Sequence, residues 1–139
     1  MASDIHLTTE VRSGRTCVST GSKWEPIVGY SRAVRSGAHI AVTGTVGINA
    51  DGTYSKDVGE QCRRSLDIII ASLHALSSDV RHVIRTRIYT TRLDEWQKIA
   101  AVHGQIFGEV RPATTLVGVA KLIDDEALIE IEADAIVPE

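Results

Sequence analysis

The sequence has little cysteine and no long apolar run. Cys17 and Cys62 are far apart and match neither a metal-binding nor a redox spacing. No segment near Met1 is apolar over enough residues to serve as a signal peptide or a membrane span. These absences indicate reduced thiols and predict a cytoplasmic protein that does not contact a membrane.

Runs of like charge are missing as well. The 15 basic and 18 acidic residues give a net charge of −3 and are spread along the chain. This distribution argues against electrostatically driven binding to nucleic acid or to a membrane surface. The histidines do not recur at ligand spacing, so we expect no metal site; the five are His6, His39, His74, His82 and His103.

The chain length predicts one domain. A chain of 139 residues buries about two thirds of the surface that its unfolded form exposes, and the sequence implies no second core. Residues 1–14 are polar and mixed, so we expect them to lie on the surface or against a partner. Residues 15–139 form the predicted single domain.

Strand-like runs of residues predict a sheet of six strands. They cover residues 15–19, 30–35, 39–46, 83–90, 114–120 and 128–137. A loop is expected at residues 21–26, which contain Gly, Ser and Pro. Asp57 followed by Glu60 resembles a capping box and predicts the start of a helix.

Two helices are predicted from apolar residues that recur every three or four positions. The first has an apolar face formed by Cys62, Leu66, Ile69, Leu73 and Leu76. The second has Trp96, Ile99, His103 and Ile106 on one face and ends near Gly108. The element order is typical of an α+β protein with both helices on one face of a mixed sheet.

The last predicted strand has an acidic face. Glu130, Glu132 and Asp134 alternate with apolar residues and lie about 7 Å apart along one side of the strand. Three neighbouring carboxylates need water, cations, a neighbouring chain or a ligand site. Because two helices cover only one face of this sheet, we infer that a partner chain covers the other face and that the protein is a homo-oligomer.

Four segments, in this order and spacing, resemble the Rid family (YjgF family; reactive intermediate deaminases, also called L-PSP endoribonucleases). They are Gly29-Tyr30-Ser31-Arg32-Ala33-Val34, Val42-Thr43-Gly44, Arg111-Pro112-Ala113 and Ile129-Glu130-Ile131-Glu132-Ala133. The resemblance implies a chorismate-mutase-like homotrimer with three small-molecule sites at its subunit interfaces. It further implies hydrolysis of enamines and imines, such as 2-aminoacrylate, to 2-keto acids and ammonia without a metal or organic cofactor.

The resemblance assigns roles to four residues. Tyr30 matches the site tyrosine, and Thr43 matches a Ser or Thr whose neighbour Gly44 presents backbone groups to the ligand. Glu130 matches the acid that holds the attacking water. A carboxylate suits this role because it orients a water molecule and accepts its proton.

The resemblance is to a divergent member, because the chain lacks the arginine of the family's Pro-Ala-Arg motif, which grips the substrate carboxylate. Thr114 occupies that position, and Leu116 replaces a site-facing Cys or Thr. Two arginines are candidates for the missing cation. Arg87 either reaches an anionic ligand or neutralises the acidic strand face, and Arg111 stands just before the Pro-Ala turn.

Three functions stay open at this point. The first is a trimeric hydrolase of small imines, enamines or related carbonyl compounds, distinct from a typical 2-aminoacrylate deaminase. The second is a non-catalytic trimer that binds a small molecule or has a regulatory role. The third is an L-PSP-type endoribonuclease, which the acidic composition and the lack of a His or Lys acid/base pair near a basic groove do not favour.

Overall fold

The computed structural model describes residues 4–139 and contains one sheet with two long helices on one of its faces. Its seven strands are β1 (Thr8–Arg12), β2 (Arg15–Ser19), β3 (Ala33–Ser36), β4 (His39–Val46), β5 (Val83–Thr90), β6 (Ala113–Gly118) and β7 (Ile129–Ile136). The helices are α1 (Trp24–Val28), α2 (Val58–Ala75) and α3 (Trp96–Phe107). The α+β class and the two main helices confirm the prediction from the sequence.

The strand order across the sheet is β1-β2-β3-β4-β7-β5-β6. Strand β6 pairs parallel with β5, and every other pairing is antiparallel. The sheet is therefore mixed, as predicted, and β4 and β6 are separated by two strands. At about 4.8 Å per strand the two lie roughly 14 Å apart.

The core lies between the sheet and the two long helices. Asp57 begins α2 by accepting a hydrogen bond from the backbone N–H of Glu60 at 2.9 Å. The Glu60 carboxylate accepts a hydrogen bond from Ser55. The predicted apolar face of α2 is buried, and so are Ile99 in α3 and the alternate residues Ile129, Ile131, Ala133 and Ala135 of β7.

The prediction of six strands was wrong by one. Residues 1–14 were expected to be a polar surface segment, yet Thr8–Arg12 forms β1 and pairs with β2 across the turn at Ser13 and Gly14. Both turn residues have positive φ, the geometry of a tight hairpin. All five residues of β1 are exposed, so backbone pairing holds this strand and no apolar alternation could reveal it.

Two further boundaries differ from the prediction. The expected loop before residue 27 contains the short helix α1, which ends at Gly29 in the left-handed conformation. The predicted strand at residues 30–35 is shorter, because β3 begins only at Ala33. Residues 30–32 therefore form an irregular connection between α1 and β3. Their side chains need not alternate between the two faces of the sheet.

The face of the sheet opposite the helices is not covered in a single chain. Charged residues of β5 and β7 lie on it, together with exposed apolar side chains that include Ile84, Val117 and Ile136. Across residues 4–139, helices that combine the length and the apolar character of a membrane span are absent.

Candidate functional site

A bulge in β4 forms the floor of the candidate site. Val42 pairs with Ala133 and Thr45 with Ile131, so two residues of β4 oppose one residue of β7. The bulged residues are Thr43 and Gly44. The extra residue bends the strand and re-aims its backbone toward the face that carries the acidic residues.

Hydrogen bonds from two threonines hold the bulge in place. The Thr43 hydroxyl donates to the carbonyl of Ser31 at 2.6 Å, and the Thr43 N–H donates to the carbonyl of Arg32 at 3.1 Å. The Thr45 hydroxyl donates to the carbonyl of Thr43 at 2.6 Å. Thr43 therefore acts here through its links to residues 31 and 32, which connect the bulge to the segment that carries Tyr30.

Glu130 lies against this bulge. A Cβ built on Gly44 would stand 2.5 Å from Oε2 of Glu130, so the carboxylate occupies the space beside the glycine backbone. Burial raises the pKa of Glu130 above its usual range, and the charge of Glu132 raises it further. Arg32 opposes both effects. The result is a half-buried acid whose pKa is closer to neutral than that of a surface glutamate, as a general base requires.

Arg32 is a site residue that the sequence analysis did not single out. Its guanidinium donates from Nη2 to the carbonyl of Gly44 at 2.7 Å and lies 5.9 Å from the centroid of the Tyr30 ring. Its Nε is buried and has no hydrogen-bond partner among residues 4–139. In the sequence, the two-residue spacing of Tyr30 and Arg32 was the available signal for this site. Only the irregular segment before β3 brings the Arg32 guanidinium to Gly44 and close to the Tyr30 ring.

The segment that carries Tyr30 is held by a buried carboxylate. The Glu25 side chain accepts hydrogen bonds from the Ser19 hydroxyl at 2.5 Å and from the N–H and hydroxyl of Thr20 at 3.1 and 2.6 Å. Burial opposes ionisation, but these hydrogen bonds outweigh it and lower the pKa of Glu25. The Tyr30 N–H donates to the Glu25 carbonyl at 3.0 Å, so Glu25 anchors α1 and Tyr30 together.

Arg87 lies against the acidic strand face. Its Nη1 is 3.4 Å from Oδ2 of Asp134, an ion pair that is partly exposed. The next acid, Glu132, accepts a hydrogen bond from the Tyr89 hydroxyl at 2.5 Å. Arg87 thus has the contact that the charge-neutralising alternative expects. The other candidate, Arg111, is exposed and has positive φ.

Thr114 and Leu116 lie elsewhere in the monomer. Both are on β6, the edge strand beyond β5, and the Thr114 hydroxyl contacts the Thr86 hydroxyl at 2.8 Å on the helix-covered side. Leu116 packs against the core. Glu130, by contrast, points to the opposite side of the sheet. One chain therefore brings together Tyr30, Arg32, Thr43, Gly44 and Glu130 but not the two β6 residues.

The side chains also bear on the question of a metal. Within residues 4–139 there is no group of three His, Cys, Asp or Glu side chains arranged to hold an ion. Cys62 is buried, which raises the pKa of its thiol to about 12 and keeps it neutral.

Comparison with known proteins identifies the family. The model of the family described as Endoribonuclease L-PSP matches residues 20–137. This chain belongs to that family, which includes the YjgF, UK114 and RutC proteins. The matched residues include Tyr30, Thr43, Thr114 and Glu130, and the Rid resemblance seen in the sequence is confirmed.

L-PSP family members of known structure have this fold. The crystal structure of a Mycobacterium tuberculosis member of the YjgF/YER057c/UK114 family is 44% identical, with a TM-score of 0.83 over 88% of this chain and 99% of that one. Escherichia coli TdcF, solved with bound serine, is 29% identical with a TM-score of 0.74, over 78% of this chain and 88% of that one.

A relative named for an activity also belongs to the L-PSP family. The 2-iminobutanoate/2-iminopropanoate deaminase of Escherichia coli is 32% identical over 111 residues, which cover 77% of this chain and 86% of that protein. The family therefore includes proteins named as imine deaminases.

Proposed function

We propose that this protein is a homotrimeric hydrolase of small imines, enamines or related carbonyl compounds, with its sites in clefts between subunits. The observation that carries the proposal is the arrangement of Glu130, whose half-buried carboxylate has a raised pKa and lies against the Gly44 backbone. The 32% sequence identity to a 2-iminobutanoate/2-iminopropanoate deaminase supports the reaction class.

The proposed reaction uses Glu130 as the base. A water held by its carboxylate attacks the carbon of the C=N bond while Glu130 takes one water proton. The nitrogen takes up a proton from solvent, the resulting carbinolamine expels ammonia, and the remaining hydroxyl releases its proton to solvent as the C=O bond forms. Glu130 returns its proton to the departing nitrogen, so it is unchanged after one turnover. An enamine first becomes an imine by gaining a proton at carbon and losing one from nitrogen.

A second copy of the chain supplies the rest of the proposed cleft. Thr114 and Leu116 are separated from Glu130 within one chain, because β5 lies between β6 and β7, which carries Glu130, and the side chains face opposite sides of the sheet. The uncovered sheet face offers charges and exposed apolar side chains for contact with another subunit. We propose that the edge strand β6, on which Thr114 is exposed, meets the neighbouring subunit beside this face, so that Thr114 and Leu116 of one subunit lie near Glu130 and Tyr30 of the next.

The proposed substrate differs from 2-aminoacrylate. Thr114 offers a hydroxyl where the related Rid proteins have an arginine, and the partly buried Leu116 puts an apolar side chain where they have a Cys or Thr. A neutral hydroxyl holds a carboxylate less strongly than a guanidinium does, since the charge-assisted, two-pronged contact is lost. We therefore propose imines or enamines that need not carry a carboxylate.

Ammonia release tests this proposal. We expect wild-type protein to release ammonia from neutral imines faster than from 2-imino acids of matched size, and Glu130→Gln to abolish release. A sedimentation equilibrium experiment at micromolar concentration should give about three chain masses for both proteins. Intact wild-type trimers that bind imines without releasing ammonia would support the non-catalytic binding protein instead.

The ribonuclease alternative has its own test. Binding of RNA driven by phosphate contacts weakens steeply as salt is raised. We expect no such salt-dependent binding to an unstructured RNA. RNA cleavage by the wild type, lost in Glu130→Gln, would contradict the proposed imine hydrolase.

A further inference from the structure

A chain of three polar side chains connects Thr114 to the interior. The Thr114 hydroxyl lies 2.8 Å from the Thr86 hydroxyl, which in turn lies 2.9 Å from Nε2 of His103. Thr114 is exposed, Thr86 is fully buried and His103 is half-buried. The ring of Phe107 packs on the imidazole with a centroid separation of 4.6 Å.

The three side chains come from elements that only the fold brings together. Thr86 and Thr114 are register partners on the parallel strands β5 and β6. His103 comes from the helix-covered side, where α3 lies over these strands. This series of hydrogen bonds therefore runs from His103 under α3 to Thr114, the residue at the arginine position of related proteins.

A buried hydroxyl between two polar neighbours has only one proton to donate. If Nε2 of His103 has no proton, Thr86 donates to it and accepts from Thr114, and the lone pairs of Thr114 face outward. If Nε2 has a proton, Thr86 accepts from His103 and donates to Thr114, whose own proton is then free to point outward. The carbonyl of Pro112, 3.2 Å from the Thr114 hydroxyl, is the competing acceptor.

We propose that Thr86 and His103 form a hydroxyl–imidazole relay that sets whether Thr114 accepts or donates a hydrogen bond to the ligand in the cleft. Thr114 is the contact residue, and Thr86 and His103 are positioning residues. The ligand class is a small molecule with a neutral polar group, such as an amide, imine or carbonyl, at the end that meets Thr114. This inference rests on the proposed function and names the ligand chemistry at the part of the cleft that Thr114 supplies.

The charged residues near the relay do not point at His103, so burial is the main influence on its protonation. Burial lowers the pKa of His103 from 6.5, so the neutral ring predominates at pH 7. Protonation of the ring at lower pH reverses the donor and acceptor roles of Thr86 and Thr114. The charged residues on the packed elements have other directions or partners. Arg85 and Arg87 of β5 alternate to the opposite face, Arg63 of α2 donates to Gln105, and Lys98 of α3 pairs with Asp57 and Glu95.

Nuclear magnetic resonance of the imidazole nitrogens in the full-length protein tests the relay without turnover. His103→Gln assigns the His103 signals among the five histidines. We expect Thr114→Val, which does not touch His103, to change the His103 tautomer ratio and midpoint of titration, and Thr114→Ser to restore both. A core histidine that is merely bonded to Thr86 would not respond to Thr114→Val, and that result would overturn the relay.

Binding of two matched probes tests the ligand class. We expect wild-type protein to bind pyruvamide more tightly than pyruvate, because pyruvate has a carboxylate where pyruvamide has a neutral amide. Thr114→Val should weaken pyruvamide binding about three- to tenfold, the value of one neutral hydrogen bond, while Thr114→Ser retains it. Equal or tighter binding of pyruvate would overturn the assigned class.

The outcomes separate this inference from the proposed function. If His103 responds to Thr114→Val but no imine releases ammonia, the relay stands as a binding device and the hydrolase proposal fails. If ammonia is released but His103 does not respond, the hydrolase stands and the relay fails.

Discussion

The carboxylate of Glu130 occupies the space that a side chain on Gly44 would fill, since a Cβ at that position would come within 2.5 Å of Oε2. The β4 bulge and the acid of β7 are thus fitted to one another. Gly44 serves the site in two ways, by leaving room for the carboxylate and by accepting the hydrogen bond from Arg32. This pairing gives the most direct test of the site.

Gly44→Ala is expected to displace Glu130 while leaving the fold intact. The clash is with the end of a flexible side chain, so the carboxylate can move, but a shift of about 1 Å at a reacting group costs on the order of a hundredfold in rate. Gly104→Ala is the matched control: a Cβ there meets nothing within 4 Å, and the change should stabilise α3 by up to about 1 kcal/mol. Ammonia release and chemical denaturation report the two effects; full activity in Gly44→Ala would argue against a catalytic Glu130.

Arg32→Gln is expected to raise the pKa of Glu130 further. Arg32 is the cation that opposes the effects of burial and of Glu132 on that carboxyl. Removing its charge should move the acidic limb of the pH–rate profile to higher pH, whereas Arg32→Lys keeps the charge and should move it less. Carboxyl carbon NMR, assigned with Glu130→Gln, measures the same shift directly. A lower midpoint in Arg32→Gln would contradict the assigned role.

Glu130→Gln is expected to stabilise the protein at neutral pH. The folded-state pKa of Glu130 lies above 4.5, so its stabilising contribution is complete below pH 4.5 and is lost as pH rises through the folded value. The melting temperature of Glu130→Gln should exceed that of the wild type at pH 8, and the difference should shrink as pH falls through the folded-state pKa toward 4.5. Solvent screening keeps it small because Glu130 is half-exposed. A less stable variant at pH 8 would show that the charge is favourably bound.

Gln61 is expected to matter for stability because it joins α2 to the loop before β7. Its buried amide donates to the carbonyls of Ser55 at 2.6 Å and Glu126 at 2.9 Å and accepts from the N–H of Leu128 at 2.8 Å. Gln61→Met keeps the side-chain volume but leaves these groups unpaired, at a cost of about 2–4 kcal/mol. Gln97→Met on the exposed side of α3 is the control, expected to change the free energy of unfolding by less than about 0.5 kcal/mol.

Thr114→Arg is expected to increase activity on 2-imino acids by restoring a guanidinium at that position. A charge-assisted contact is worth roughly 1.5–3 kcal/mol, which is about a tenfold to a hundredfold gain. Thr114 and Arg87 leave the sheet on opposite faces of their own chain, so Arg87→Ala should have an additive effect. If the activity gain of the double variant exceeds the sum of the effects of the two single variants, in free-energy terms, the two cations meet across the subunit interface.

Periodic segments were predictable from the sequence because their pattern is local. The faces of α2, β5 and β7 follow from side-chain direction along a helix or a strand, and the structure has them at nearly the predicted boundaries. The resemblance to Rid proteins placed Glu130 and Gly44 in one site. Their contact in the structure follows from the pairing of β4 with β7, which one bulge shifts by a single residue.

Other features depended on contacts between distant residues. Strand β1 has no buried face, so only its backbone pairing with β2 defines it. Arg32 joins the site because the Thr43 hydrogen bonds hold residues 31 and 32 against the bulge. His103 matched a core position on its helix, but the parallel pairing of β5 with β6 connects it through Thr86 to Thr114. The sequence by itself determined the periodic elements, such as α2, β5 and β7, and their buried faces, since these depend on neighbours three or four residues away at most. Tertiary structure decided which polar groups meet, because hydrogen bonds of about 3 Å depend on strand register and on bulges that no local pattern contains.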